Sequence, residues 1–246
     1  MHTTTGFHFP FTTRDANKLL IALLLFEVCL VLVFMLDALV EMPRPIHRLF
    51  DLDRENTIPA WFSAVQLFVI GMLFLFSGQW SRVHRIVRPG FLLVVGMAFI
   101  FLSMDEAASI HENITAGLKH VEWIPRFKGD HGIWIQFYIL IIVVLAVVGG
   151  GTLVSMLSVY PRQSLMLFFG LVTLLIGGIG MEIISYWYLR GSELAYLYKI
   201  EVALEEFFEM AGASIVLYGT ISCALKPLEL TTAESEKGDA NVLKQN

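Results

Sequence analysis

The sequence predicts an all-α fold: a polytopic membrane helix bundle with six transmembrane helices and both termini cytoplasmic. Three observations predict it. The 246-residue chain is 56% hydrophobic and only 16% charged, where a soluble domain carries roughly a quarter charged residues. The apolar residues fall into six long blocks, near the roughly 20 residues that cross a bilayer core as helix. The blocks also lack the two-residue alternation of a membrane barrel, and backbone groups in lipid must then bond within a helix.

The first block, Leu19–Leu36, holds one charge, Glu27. It exceeds the ~7–15 residue core of a signal peptide, and no small-x-small cleavage site follows in DALVEMPRP. It reads as a span over 18–40. Ile58–Gly78, Pro89–Met104, Gly132–Pro161, Gln163–Met181 and Met210–Leu225 hold no charge at all. They predict spans over 59–79, 89–112, 133–157, 163–187 and 199–225. The chain then divides into a cytoplasmic segment 1–17, a membrane domain 18–227 and a disordered cytoplasmic tail 228–246, polar from Thr231 onward. No internal repeat is visible, which weighs against inverted-repeat transporter folds.

Lysine and arginine set the orientation. The 2–3 connection SRVHRIVRPG carries Arg82, Arg85 and Arg88 with no acid, and Arg14, Lys18, Arg162 and Lys226 fall on the same side. The other connections are longer and mix Arg44, Arg48, Arg54, Lys119, Arg126, Lys128, Arg190 and Lys199 with acids. Trp61, Trp123, Trp134 and Trp187 then belong at the outer interface as amphipathic anchors. Membrane lipids are the expected partners. No basic cluster or phosphate loop points to nucleic acid or nucleotide. Cys29 and Cys223 lie inside spans and read as packing residues.

At about 1.5 Å per residue, this topology brings acids from five spans to the outer third of the membrane. Asp105 and Glu106 end the third span, with His111 and Glu112 at the boundary. Glu206 and Glu209 lie at a matching depth on the sixth with Glu205 just above them, and Glu182 closes the uncharged run of the fifth. Asp105, Ser109 and Glu112 share one face of a continuous helix, as do Glu201, Glu205 and Glu209. Gly212, and Gly177, Gly178 and Gly180, allow close approach beneath these acids. Asp37, Glu41, Glu55 and Glu201 read as charges marking the water boundary, and Glu27 as a mid-membrane partner of Gln66 or a proton carrier.

So many carboxylates cannot stay ionised and unpaired at low dielectric. Protons, basic partners or a bound cation must satisfy them, and basic groups near this depth are few: His111, Arg190 and Lys199 at the edge of the fifth and sixth spans, and His120 and His131, able to fold over from the 3–4 connection. Carboxylates with imidazole suit Zn²⁺, Mn²⁺ or Fe²⁺. The expected ligands are Asp105, His111, Glu205 and Glu209, with Glu106, Glu112 and Glu206 as acid/base or supporting groups. The Glu-x-x-His pairs of di-iron bundles and the HExxH of zinc hydrolases are both absent.

FLSMDEAASIHE on the third span, ENTIPAWFSAVQL leading into the second, and the EExxEMxGA pattern of the sixth (Glu205, Glu206, Glu209, Met210, Gly212, Ala213) resemble an uncharacterised family of bacterial multi-pass membrane proteins. The resemblance covers roughly residues 18–225 and implies the bacterial inner (cytoplasmic) membrane, but no mechanism. Ceramidase-like membrane hydrolases differ, because they need several histidines with an HxxxH pair that this chain lacks.

Three functions stay open. The first is a metal-dependent enzyme acting on a lipid or other amphiphile at the outer leaflet. The second is a proton- or cation-coupled transporter using the acids. The third is a structural or assembly subunit whose polar cluster locks helices together.

Overall fold

The computed structural model describes residues 11–40, 42–84, 88–127, 129, 131–189 and 195–243; Glu41, Arg85, Lys128 and Arg190 lie outside them. Its helices are α1 (Thr13–Val40), α2 (Arg44–Phe50), α3 (Ile58–His84), α4 (Pro89–Ala108), α5 (Ile110–Leu118), α6 (Ile133–Val159), α7 (Pro161–Leu175), α8 (Glu182–Ile184) and α9 (Ala195–Leu243). Two π-helical turns, Ile176–Met181 and Ser185–Leu189, flank α8 and join it to α7 as one rod. Among the described residues six helical stretches are long and apolar enough to cross a membrane, in the order expected. The short α2 is an addition.

α9 is the central post, packing against α1, α3 and α7, while α4 lies along α3. Lipid tails are as apolar as leucine, so burial alone does not hold such helices together; close backbone approach and polar contacts do. Both devices are present. At the α7–α9 crossing, a Cβ on Gly212 would lie 2.4 Å from the Leu174 nitrogen and 2.8 Å from the Gly170 oxygen. Only glycine fits there. The α3–α4 crossing is built alike: Gly71 and Gly96 face each other, and a Cβ on either would meet the other's carbonyl oxygen at 2.9 Å.

The polar clasp sits mid-membrane. Gln66 Nε2 of α3 donates to Glu27 Oε1 of α1 at 3.0 Å and to Ser214 Oγ of α9 at 2.7 Å. The Ser214 hydroxyl donates to Glu27 Oε1 at 2.6 Å. The Glu27–Gln66 pairing expected from depth is therefore real, and serine makes it a triad joining three helices. Glu27→Gln keeps an acceptor in place and should unfold within a few degrees of wild type. Glu27→Leu strands the amide and hydroxyl donors, each worth about 1–3 kcal/mol when left unpaired, and should melt clearly lower in detergent. Equal melting of the two variants would show that the triad does not hold the bundle.

α6 is one of the two least buried of the membrane-length helices, with α1. Its outward face exposes Val147 and Val148, both above 70%, and it meets α4 at Tyr138 and, eleven residues on, at Gly149. That spacing creates the cavity described next.

Candidate functional site

The third span does not run unbroken to Glu112 as expected. α4 stops at Ala108, and Ser109 turns into the left-handed region (φ 50°, ψ 43°) before α5 begins. It is the one non-glycine residue with positive φ among those described. The break overturns the shared face of Asp105, Ser109 and Glu112. Asp105 supplies the physical reason. Its Oδ1 accepts the His111 backbone N–H at 2.7 Å, so the carboxylate caps the new helix and holds the kink.

The same carboxylate orients the His111 ring. Asp105 Oδ1 lies 3.1 Å from His111 Nδ1, and Oδ2 accepts the Tyr138 hydroxyl at 2.7 Å. A carboxylate only accepts, so Nδ1 carries the proton and Nε2 presents its lone pair outward. Trp134 packs against the ring with centroids 5.1 Å apart. This tryptophan was expected as an interfacial anchor; it is buried instead, whereas Trp61, Trp123 and Trp187 are exposed.

Nε2 points to Glu55, whose Oε1 is 3.8 Å away. One ligand atom each from Glu55, His111 and Glu112 falls within 4.8 Å of the others. Two ligands about 2.1 Å from one ion stand at most ~4.2 Å apart, so the side chains need close by well under an ångström to share it. Glu55 Oε2 is buried without a hydrogen-bond partner among the described residues. Burial pushes the Glu55 carboxyl up from its usual range. Burial alone would lower His111, but the Asp105 hydrogen bond and charge, with Glu55 and Glu112, outweigh it and raise the imidazole.

A wall of further acids borders this group. Glu205, Glu206 and Glu209 of α9, Glu182 of α8 and Glu106 of α4 line the same cavity. Glu106 has Glu209 and Glu55 among its charged neighbours, and Glu209 has Glu182 and Asp105. Gly177 lets this wall form: a Cβ there would lie 2.7 Å from the Glu209 nitrogen and 2.8 Å from its Cγ. Tyr186 donates its hydroxyl to Glu182. π turns on either side of a buried acid are a frequent companion of functional sites.

All seven residues expected at the site, Asp105, Glu106, His111, Glu112, Glu205, Glu206 and Glu209, line one cavity of about 420 Å³. They occupy different positions in it. Asp105 has both oxygens engaged with His111 and Tyr138, while Glu205 and Glu209 line the cavity from α9. Glu55, expected as a boundary charge, faces the imidazole. Nothing in its loop sequence signals this, because only the fold brings residue 55 to residue 111. Tyr138 and Tyr186 were likewise missed, since phenols on apolar spans look like packing. His131 stacks on Tyr186 with centroids 5.2 Å apart, beside the cavity rather than on its lining. Asp37 belongs elsewhere: it accepts the Met42 N–H and lies 2.6 Å from His47 Nδ1, tying α1 to α2.

A bundle of six membrane-length helices, five of them lining a cavity that is acidic at one end, defines a polytopic helical membrane protein with a carboxylate–imidazole pocket. The chain belongs to the family described as "Domain of unknown function (DUF8692)", which matches residues 19–224. No curated protein and no solved structure matches it.

Proposed function

We propose that the cavity holds a divalent metal ion and that the chain is a metal-dependent enzyme acting on an amphiphile at the outer leaflet of a bacterial inner membrane. The single observation that carries this reading is the Glu55–His111–Glu112 group, with His111 already oriented by Asp105. A carboxylate behind a ligating histidine fixes its tautomer and strengthens it as a donor. Two carboxylates and one imidazole suit Zn²⁺, Mn²⁺ or Fe²⁺ and leave coordination positions for water or substrate. Asp105 is then a positioning residue, and Glu106, Glu205, Glu206 and Glu209, which share the cavity lining, are the groups that would accept or return a proton.

The cavity favours this over coupled transport. Its far wall is apolar, lined by Val95, Leu145 and Leu153, and the Glu27 triad lies outside it. A coupled carrier needs polar groups continuing along the path.

The test is metal content. Protein purified in mild detergent and dialysed against mixed divalent metals should retain one ion per chain by mass spectrometry. Retention should depend on pH with a definite sign. Protons compete for the imidazole, and His111 holds its proton above the ordinary ~6.5. Affinity should therefore fall about tenfold per pH unit below the raised pKa, while one proton is displaced, and level off above it. A chain that takes up no ion at pH 8 ends the metal reading.

A further inference from the structure

The acidic residues occupy only one end of the cavity, and the rest of it is a shaft. Phe91, Val95 and Ala98 of α4 and Ile142, Leu145 and Ala146 of α6 line its sides. Two contacts bracket it. At the acidic end Tyr138 of α6 bonds to Asp105, and its ring lies 6.1 Å from that of Phe101. At the other end Phe91 presses on Gly149, where a Cβ would sit 2.0 Å from the ring. Between them the helices stand apart. From Asp105 to Phe91 α4 rises through fourteen residues, about 21 Å at 1.5 Å each. One leaflet of a bilayer core is about 15 Å thick, so a hydrocarbon chain of ordinary lipid length fits. A volume of about 420 Å³ shared by head and shaft is small for a ligand site and leaves room for one chain.

The charge at the head selects the ligand further. Glu106, Glu205, Glu206 and Glu209 have no ion-pair partner among the described residues. Among those residues Arg54 and His111 are the only basic side chains on the lining, and both are engaged, Arg54 with Asp51 at 3.0 Å and His111 with Asp105. An anionic head would add charge of the same sign to a pocket already short of cations. A cationic head removes the deficit.

We propose that the shaft binds the hydrocarbon chain of a single-chain amphiphile whose head is a primary amine, with the ammonium held by the carboxylates of α4 and α9. This rests on the cavity being the substrate site proposed above, and adds the number of chains and the sign of the head. Amphipathic contact on both ends explains why one cavity carries two such unlike linings.

Photocrosslinking tests it on the full chain in lipid nanodiscs. Hexadecylamine, palmitic acid and hexadecyl phosphate, each with the same mid-chain diazirine, are compared by peptide mass spectrometry. The amine should label residues 95–102 and 141–146 at least tenfold above the acid. Glu205→Gln with Glu209→Gln should cut that labelling severalfold. Ala146→Trp should block it while leaving bound metal unchanged, and Ala98→Phe on the facing wall serves if that variant misfolds. Equal labelling by all three heads, or shaft labelling no stronger than at lipid-facing Leu25 and Leu32, overturns the proposal. Hexadecyl phosphate labelling that appears only with Mn²⁺ overturns the amine while sparing the metal site. Amine labelling in a chain that binds no metal supports the shaft and sinks the metal reading alone.

Discussion

Replacing His111 with alanine should strip the divalent metal from the purified protein. The imidazole is the only nitrogen donor in the Glu55–His111–Glu112 group, and its Nε2 is aimed by the bond between Nδ1 and Asp105. Losing a ligand outright must cost more than losing the group behind it, and such supporting carboxylates are worth about 10–100-fold in affinity. The expected ranking is thus His111→Ala weakest, Glu55→Gln next, and Asp105→Asn down by about 10–100-fold. His120→Ala, an exposed histidine off the cavity lining, is the control and should bind as wild type. Titration with Zn²⁺ or Mn²⁺ followed by calorimetry reads all four. If Glu205→Gln or Glu209→Gln empties the site while His111→Ala keeps it, the ion belongs to the α9 wall and the triad is wrong.

Gly212→Val should be the most damaging substitution for the fold. The added Cβ alone would sit 2.4 Å from the Leu174 nitrogen and 2.7 Å from its Cα. Those are backbone atoms, so no side chain can turn aside and α7 must separate from α9. Overpacking a core costs about 1–3 kcal/mol even where side chains can adjust, and here they cannot. A loss of about 3 kcal/mol or more corresponds to a melting drop of at least ~6 °C for a chain of this size. Gly150→Val on α6, where a Cβ would meet nothing within 4 Å, should change little. Thermal unfolding in detergent compares the two. The damage should also reach the cavity, because the α7–α9 crossing lies one to two turns from Glu205 and Glu209, and Gly212→Val should lose metal as well as stability. A variant that melts lower yet keeps its ion would show that the acidic end holds together independently of that crossing.

Helical spacing places residues on the cavity lining where the helix is regular and misplaces them where the helix breaks. Glu205, Glu206 and Glu209 follow from a regular helix of known depth, and all three reach the cavity. The Asp105–Ser109–Glu112 face does not survive, because one left-handed residue redirects the chain. Serine carries no strong signal for that conformation; glycine or asparagine would have. The capping bond that stabilises the turn spans six residues, from Asp105 to His111, a spacing no helical template contains.

Glu27 shows the intermediate case. Depth alone pairs it with Gln66, since both sit mid-span on neighbouring helices, and the bond is there at 3.0 Å. Ser214 could not be foreseen, because a serine on an apolar helix normally bonds its own backbone.

Composition by itself determined that this chain crosses a bilayer six times as helix, and that its acids gather at one end, because the hydrocarbon core dictates length and forbids unpaired backbone. Tertiary structure alone decided which acids meet an imidazole. Lipid exerts no preference among helix neighbours, so partners are chosen by where glycine permits contact and where a chain bends. Those choices brought Glu55, far away in sequence, to His111.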